Sequence, residues 1–597
     1  MENNQKLNKD PIRLGLVLAG AVTAGAFTAG VIDYLLNTLR LWHKAYEENP
    51  GDVPEPNVII DVMTGASAGG ITAAVTTLGL TIDQLEPVTT TTGREEARRN
   101  VLFDTWVNFG KKRGESIVDD LFSLEDLEGD EIHSLLNTTF INNLMEKLIA
   151  TTHATMQYKQ ERKSQGAALR VLPPYINPQL EILMTLSNLR GIPIDLYFTE
   201  NKSKVAHTMQ YHKAYAHFEI GKDVLPHKLP LDFSDPTHLQ LFLDVARASG
   251  AFPIGLKSVP FKGIPKEYIV ENIKRLFGNN KNLAPLIDES YSFLATDGGM
   301  INNEPIAEAL KILKEKGDNY KLLLIDPFPG RVGEPQDHQY DVEKDNIFEV
   351  VPQLFSTLRN QVLFKENDIM DLFEEGTHKN MIWPTRYGKN REPMPNAIAC
   401  GALSGFAGFM KRDFRYHDYM LGQKNAQNFL RYYFHSANDL DRWSQQDIDL
   451  RGLISKKTGK LVMPIIPDYS VERREKGAYG IDFIPALHND PYFPTFPSID
   501  YNSELKRMEG LLEKRVKKVV KIAFKEFKKP SNNKDSLHPI IKQRRKKFFL
   551  SKWSGWVSRK LGNGFMSILG INKITKTVTN TIMETIIRSL SDYGLLK

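Results

Sequence analysis

Twice within the first eighty residues a strand-like apolar run breaks into small residues and resumes as a helix, and that doubled unit leaves few folds open. The first run, Ile12 to Leu18 (I-R-L-G-L-V-L), ends in Ala19-Gly20-Ala21-Val22-Thr23-Ala24-Gly25. Helical spacing follows through Phe27, Val31, Tyr34, Leu35 and Leu39 to Trp42. The second, Asn57 to Met63, turns at Gly65-Ala66-Ser67-Ala68-Gly69 and continues as a helix from Ile71 to Leu80. Successive strand–turn–helix units predict an α/β fold, a mostly parallel sheet held between helices. Further strands are expected at Glu181 to Leu189, Asp195 to Thr199, His217 to Ile220, Ser292 to Thr296 and Lys321 to Asp326, with a helix at Leu239 to Ser249.

The second turn carries chemistry. Gly65 to Gly69 is a G-x-S-x-G pentapeptide, and the tight strand-to-helix turn it builds needs small neighbours because its backbone is crowded. The helix that follows aims its first N–H groups at the serine and favours developing negative charge there. The bland reading is a serine that merely caps the helix. A nucleophilic Ser67 requires a base. The downstream histidines His338, His378, His417 and His435 sit in no recognisable setting. Asp297, directly after a strand and followed by Gly298 and Gly299, suits a Ser–Asp dyad, since a desolvated carboxylate has a raised pKa and is a better base. Asp-Gly-Gly alone would be an ordinary turn; its place after a buried strand favours the catalytic reading. Acyl transfer also needs backbone donors for the oxyanion, and Gly20, Ala21 and Val22 after the first strand can supply them. The rival, a phosphate-cradling dinucleotide loop, fits poorly because Val22 stands where G-x-G-x-x-G has its middle glycine.

Composition sets the outer bounds. At 597 residues the chain exceeds one ordinary core, and its 41% apolar and 25% charged residues are those of a water-soluble globular protein. The lone cysteine, Cys400, excludes an internal disulfide framework, favours a reducing, cytoplasmic compartment, and reads from its small neighbours as a packed residue and not a thiol nucleophile. The uncharged run Leu14 to Ile32 has a signal peptide or span as its rival reading, but it is rich in Gly, Ala and Thr and ends at Asp33 without a stop-transfer pattern. From Tyr501 to Lys560 there are 19 Lys and Arg against 5 Asp and Glu, so this segment is expected to meet an anionic partner.

The three elements in this order resemble the patatin-like phospholipase family: an oxyanion loop, G-x-S-x-G and D-G-A/G. Leu14 to Val31 is similar to the family's first strand, loop and helix; Gly65 to Gly69 matches its nucleophile motif and Asp297-Gly298-Gly299 its aspartate motif, with Asn302-Asn303-Glu304-Pro305 following. Ala246 to Pro253 resembles a further block between them, A-x-A-S-x-A-x-P. The resemblance covers roughly residues 11 to 330. It implies a three-layer fold, Ser67 as nucleophile, Asp297 as base, no histidine base, no metal or other cofactor, and hydrolysis of lipid acyl esters through an acyl-enzyme. One departure stands out: two of the three loop glycines are Ala21 and Val22, and Ala24 replaces the basic residue. The N–H donors survive these changes; the cation does not. The alternative is therefore a weak lipid-binding or regulatory module that kept the fold.

Beyond Asp326 the texture changes. The expected division is 11–330 for the hydrolase, 331–500 for a mainly helical extension or lid, including a long helix over Ser404 to Phe434, and 501–597 for a basic amphipathic helical region. Pro464 to Pro497 reads as an extended loop, Glu504 to Lys529 as a basic helix, and Ile571 to Leu590 as an amphipathic one. Lys542 to Lys547 leads into Phe548, Phe549, Leu550, Trp553 and Trp556, a composition suited to a membrane interface. The expected partner is thus a lipid or phospholipid, with peripheral membrane contact through 542–590 and no nucleic acid. Packing of that helix on its own protein is the competing reading, and nothing in the pattern sets an oligomeric state.

Overall fold

The computed structural model describes residues 10–89, 92–93, 95–109, 117–129, 131–165, 171–196, 207–278, 283–328, 380–388, 392–436, 453–454, 459–467, 494–528 and 563–597. Strand β1 (Ile12–Leu18) lies at the centre of the sheet, parallel to β2 (Val58–Gly65) on one side and to β9 (Tyr320–Ile325) on the other. Strand β3 (Ile176–Leu196) extends the parallel set beyond β2, and β10 (Met381–Ile382) extends it beyond β9. The central strands have both faces covered, which is why β1 is apolar without alternation at every position but Arg13, which pairs with Asp61 of β2 at 2.8 Å. One face packs on the long helices Gly25–Glu48, Ala68–Thr81 and Pro236–Ser249; the other packs on Ile306–Lys316 through Ile306, Leu310 and Leu313. This is the expected three-layer α/β arrangement, and Leu14 to Ile32 form its central strand, first turn and buried helix.

The far side of the sheet departs from a doubly wound plan. Strand β4 (His207–Ile220) runs antiparallel to β3, with β5 (Leu229–Leu231) at the edge, and β7 (Leu283–Pro285) and β8 (Ser290–Asp297) also pair antiparallel with β3. Strand β6 (Val259–Pro265) closes this part on β8. The two strands expected at 181–189 and 195–199 are instead one strand as far as Leu196, with the remainder outside the described residues. An irregularity joins them: Asn188 Oδ1 accepts from the N–H groups of Arg190 (3.0 Å) and Gly191 (2.9 Å), and Gly191 takes φ 76°. A local turn of this kind re-aims a strand without ending it.

The long helix expected over Ser404 to Phe434 begins only at Arg412 and runs to Tyr432. Before it lie two 3-10 turns, Ala402–Gly405 and Ala407–Phe409, with Leu403 (φ 56°) and Ser404 (φ 55°) in the left-handed region that a helix cannot contain. The helix Arg412–Tyr432 crosses Gly25–Glu48 backbone to backbone. A Cβ on Gly30 would stand 2.0 Å from the Tyr419 carbonyl oxygen, and one on Gly422 would stand 2.1 Å from that of Phe27. The C-terminal helices Lys506–Lys528 and Asn563–Asp592 pack on each other and reach the body through Arg515, whose guanidinium is bidentate to Asp126 at 2.8 Å on both oxygens. Residues 329–379, the basic run 542–547 and the Trp553–Trp556 stretch lie outside the described residues, as do residues 468–493 of the loop expected at 464–497. Among the described residues, no helix is long and apolar enough to cross a membrane.

Candidate active site

Strand β2 ends at Gly65 and the helix Ala68–Thr81 starts three residues later, which leaves Ser67 on a sharp corner at φ 51° and ψ −123°. That conformation is strained for any residue with a side chain, and it persists only where the surroundings enforce it. Here they do. A Cβ on Gly65 would lie 2.5 Å from the Gly69 carbonyl carbon, and one on Gly69 would lie 2.0 Å from the Leu18 carbonyl oxygen. Both glycines are therefore fixed by close backbone approach. The Ser67 N–H donates to Ser249 Oγ at 3.0 Å, and the Ser67 hydroxyl donates to Asp297 Oδ2 at 2.8 Å. Both side chains are buried, at 6% and 5% exposure. The serine is thus shielded from bulk water and held in one orientation.

Asp297 reaches this corner from an unexpected direction. In the mostly parallel sheet expected from the sequence it would end a parallel strand; β8 runs antiparallel to β3, with Asp297 opposite Leu186. Its environment is closely tied down. The Asp297 N–H donates to the Ala251 carbonyl (3.0 Å), its carbonyl accepts from Ser187 Oγ (2.6 Å), and Oδ1 accepts from the Gly299 N–H (2.7 Å). Gly298 has no room for a side chain, since a Cβ would lie 2.1 Å from the Thr185 carbonyl oxygen. Both carboxylate oxygens are thereby oriented, one by a backbone donor and one by the serine.

The Gly20 turn lies against the same corner. A Cβ on Gly20 would stand 2.3 Å from Asn303 Oδ1 and 3.0 Å from Ser67 Cβ. Among the described residues, the N–H groups of Gly20, Ala21 and Val22 have no protein acceptor. Val22 takes φ 48°, a glycine-like backbone on a β-branched residue. The turn therefore holds a left-handed residue without glycine. What holds it comes from far along the chain. The Thr23 hydroxyl donates to the Gly405 carbonyl and accepts from the Gly408 N–H (3.1 Å); Gly408 is too close to Thr23 for a side chain of its own, and Gly405 takes φ 99°. Neither Thr23 nor Ser249 was singled out by the sequence for a role. Ser249 lies in the quoted Ala246 to Pro253 block, but its contact with Ser67 spans 182 residues and leaves no local signal.

Ser67, Asp297 and Val22 line a largely apolar cavity of about 270 Å³. Its walls include Trp106, Phe140, Met145 and Phe252, and its polar groups include Arg247 and Asn142, joined by a 2.7 Å hydrogen bond. No histidine lines it among the described residues. His417 is buried in the helix Arg412–Tyr432, with Nδ1 2.8 Å from Asp418 Oδ1, and His435 contacts the Arg431 carbonyl; His338 and His378 lie outside the described residues. Cys400 is fully buried, and burial pushes its thiol well up, so it is a packed, unreactive residue as expected. Among the described residues, no cluster of three or more His, Cys, Asp or Glu could hold a metal ion.

Asp326 stands at the end of β9, beside the end of β1, with 2% exposure and its Oδ1 accepting from the Phe328 N–H at 2.7 Å. Burial pushes its carboxyl up to about 6 from 3.8. A folded pKa above the unfolded one means the folded chain holds the extra proton between those values. The stability from this group is full below about pH 4 and is lost as pH rises through about 6. Asp326→Asn, neutral throughout, is expected to exceed wild-type stability at pH 8 by about 2–3 kcal/mol and to lose that advantage at acid pH; urea midpoints at the two pH values check it.

Residues 16–310 match the family described as patatin-like phospholipase. Over 526 residues the chain is 27% identical to an uncharacterized protein, y4iI, of Sinorhizobium fredii, an overlap of 77% of this chain and 71% of that one. The crystal structure of VipD from Legionella pneumophila aligns over 98% of this chain and 92% of its own at 12% identity, with a TM-score of 0.24, too low to carry an argument.

Proposed function

Through residues 16–310 the chain belongs to the patatin-like phospholipase family, whose members are lipase- or phospholipase-type hydrolases, and from that premise we propose that it cleaves lipid carboxylic esters with a Ser67–Asp297 dyad. The observation that carries the reading is the 2.8 Å hydrogen bond from the Ser67 hydroxyl to Asp297 Oδ2 at the wall of an apolar cavity. In the proposed reaction Asp297 accepts the serine proton as Oγ attacks the ester carbonyl. The developing oxyanion takes hydrogen bonds from amides of the Gly20–Val22 turn. Collapse expels the alcohol, which leaves with the proton from Asp297, and a serine acyl-enzyme remains. Water, deprotonated by the same carboxylate, then releases the acid. The apolar cavity receives the acyl chain.

The missing loop cation and two missing glycines favour a second reading, a lipid-binding module without turnover. The position of the Gly20 turn against Ser67 and its anchoring through Thr23 support turnover instead, because they hold its N–H groups beside the serine. We propose that the segment 401–410 belongs functionally to the hydrolase, although the sequence places it in an extension. Thr23→Val keeps the volume, removes both anchoring bonds, and is expected to lower kcat about tenfold or more with little change in KM, measured on a soluble ester.

The acyl cavity also makes a chain-length prediction. An apolar cavity of roughly 150 Å³ admits one benzene ring, so on that scale 270 Å³ has room for about ten carbons. Initial rates on p-nitrophenyl esters from C2 to C18 are expected to peak near C8–C12. Turnover of none of them by folded protein, with liposomes present, would favour the binding module. At the surface, the helix Lys506–Lys528 carries nine Lys and Arg against three Glu, which supports peripheral contact with anionic lipid.

A further inference from the structure

A second cavity, of about 390 Å³, lies between the body and the two C-terminal helices. Its lining is almost wholly apolar, and its one charged lining residue, Arg515, is neutralised by the bidentate pair with Asp126. Phe409 lines both cavities. Phe252 of the catalytic cavity meets Phe406 of the second edge to face, at a centroid distance of 5.2 Å, so a partition of three aromatic rings separates the two. Val578 and Ile582 of the last helix line the second cavity while remaining 38% and 36% exposed, so the space opens to solvent at apolar residues. The adjoining helix Lys506–Lys528 is strongly basic, with Lys514 and Lys521 exposed.

We propose that the second cavity binds a lipid acyl chain, its tail against Phe406 and Phe409 and its head toward the basic helix Lys506–Lys528. This deepens the lipid-hydrolase reading and rests on it. An uncharged interior suits a hydrocarbon tail and rejects a peptide backbone, whose polar groups would lose hydrogen bonds there. The cationic surround suits an anionic or zwitterionic head group. Adjacency to the catalytic cavity, with Phe409 as a common wall, suits a ligand of the same chemistry. The chain comes either from the second tail of a two-tailed substrate or from a free fatty acid. The segment that presents Phe406 and Phe409 also anchors Thr23, so a bound tail touches the support of the oxyanion turn.

The test counts fatty-acid equivalents bound by full-length Ser67→Ala, using decanoate in titration calorimetry and native mass spectrometry. Two equivalents are expected, falling to one when Ile582→Trp with Val578→Trp blocks the solvent opening that these two residues line, and staying at two in Ile582→Ala. Equal stoichiometry in Ser67→Ala with and without the paired Trp substitutions overturns the proposal. Because nothing is turned over in this assay, failure of the hydrolase reading and failure of this one appear separately: the first as no ester cleavage by wild type, the second as no lost equivalent. The source follows from the paired Trp substitutions in the active enzyme. A drop of tenfold or more on a two-tailed phospholipid, with a decanoyl ester unaffected, assigns the cavity to the substrate's second tail. Equal rates on both, with one equivalent still lost, assign it to a free fatty acid.

Discussion

Asp297→Asn is expected to lower kcat on a soluble ester by about 10⁴-fold, comparable to replacing the aspartate of a serine triad. The substitution is nearly isosteric. Its amide oxygen can still accept from the Gly299 N–H, and the backbone ties to Ala251 and Ser187 are untouched. What disappears is the charge and the acceptor facing Ser67 Oγ at 2.8 Å. Without a base the hydroxyl remains a weak nucleophile, while the oxyanion turn and cavity continue to bind. KM should therefore change little, so that kcat carries nearly all the loss. Steady-state kinetics beside an unfolding curve separates this from misfolding. A loss below tenfold in folded protein would mean that another group takes the proton.

Gly30→Val is expected to be the most destabilising single change at the helix crossing, by about 3 kcal/mol or more. The position has no space: even the first carbon of a side chain would fall 2.0 Å from the Tyr419 carbonyl. That atom belongs to rigid helical backbone and cannot swing aside as a side-chain end would. The helices must separate, which opens the layer formed by Phe27, Val31, Tyr419 and Leu430, all buried. The damage should reach the site as well, because Arg412–Tyr432 follows directly on the segment that anchors Thr23. Gly422→Val is expected to behave alike, since it meets the Phe27 carbonyl in the same crossing. Urea denaturation of each variant checks the prediction; wild-type midpoints would show that the two helices tolerate separation. A chain cut at residue 330 should likewise fail to give an active, soluble domain, because the outer face of Gly25–Glu48 loses its cover.

The corner at Gly65 to Gly69 was legible because small residues between a buried strand and a helix mark close backbone approach, and the approach of Gly69 to Leu18 bears that out. Strands β1 and β2, covered on both faces, are uncharged but for Arg13 and Asp61, which pair with each other. The turn after Asp297 was legible in the same way, since the space beside Gly298 is filled by β3 backbone. The direction of β8 was not. An antiparallel and a parallel strand of seven or eight residues share the same apolar pattern, and only pairing with β3 distinguishes them. The continuity of β3 through Asn188–Gly191 was hidden because a bulge and a loop use the same residues. The late start of the helix at Arg412 was hidden because Leu403 and Ser404 are not residues that advertise a left-handed backbone. Least legible was what holds the Gly20–Val22 turn: the hydrogen bonds of Thr23 to Gly405 and Gly408 span some 380 residues and leave no local signal.

The central claim is an activated serine at Ser67, and covalent labelling tests it most directly. Purified wild type, Ser67→Ala and Asp297→Asn would be treated with a fluorophosphonate probe and the modified residue located by peptide mass spectrometry. Stoichiometric labelling of wild type on the peptide containing Ser67, absent in Ser67→Ala and strongly slowed in Asp297→Asn, is the predicted result. Labelling that is absent from folded wild type, or that proceeds equally in Asp297→Asn, would contradict the dyad.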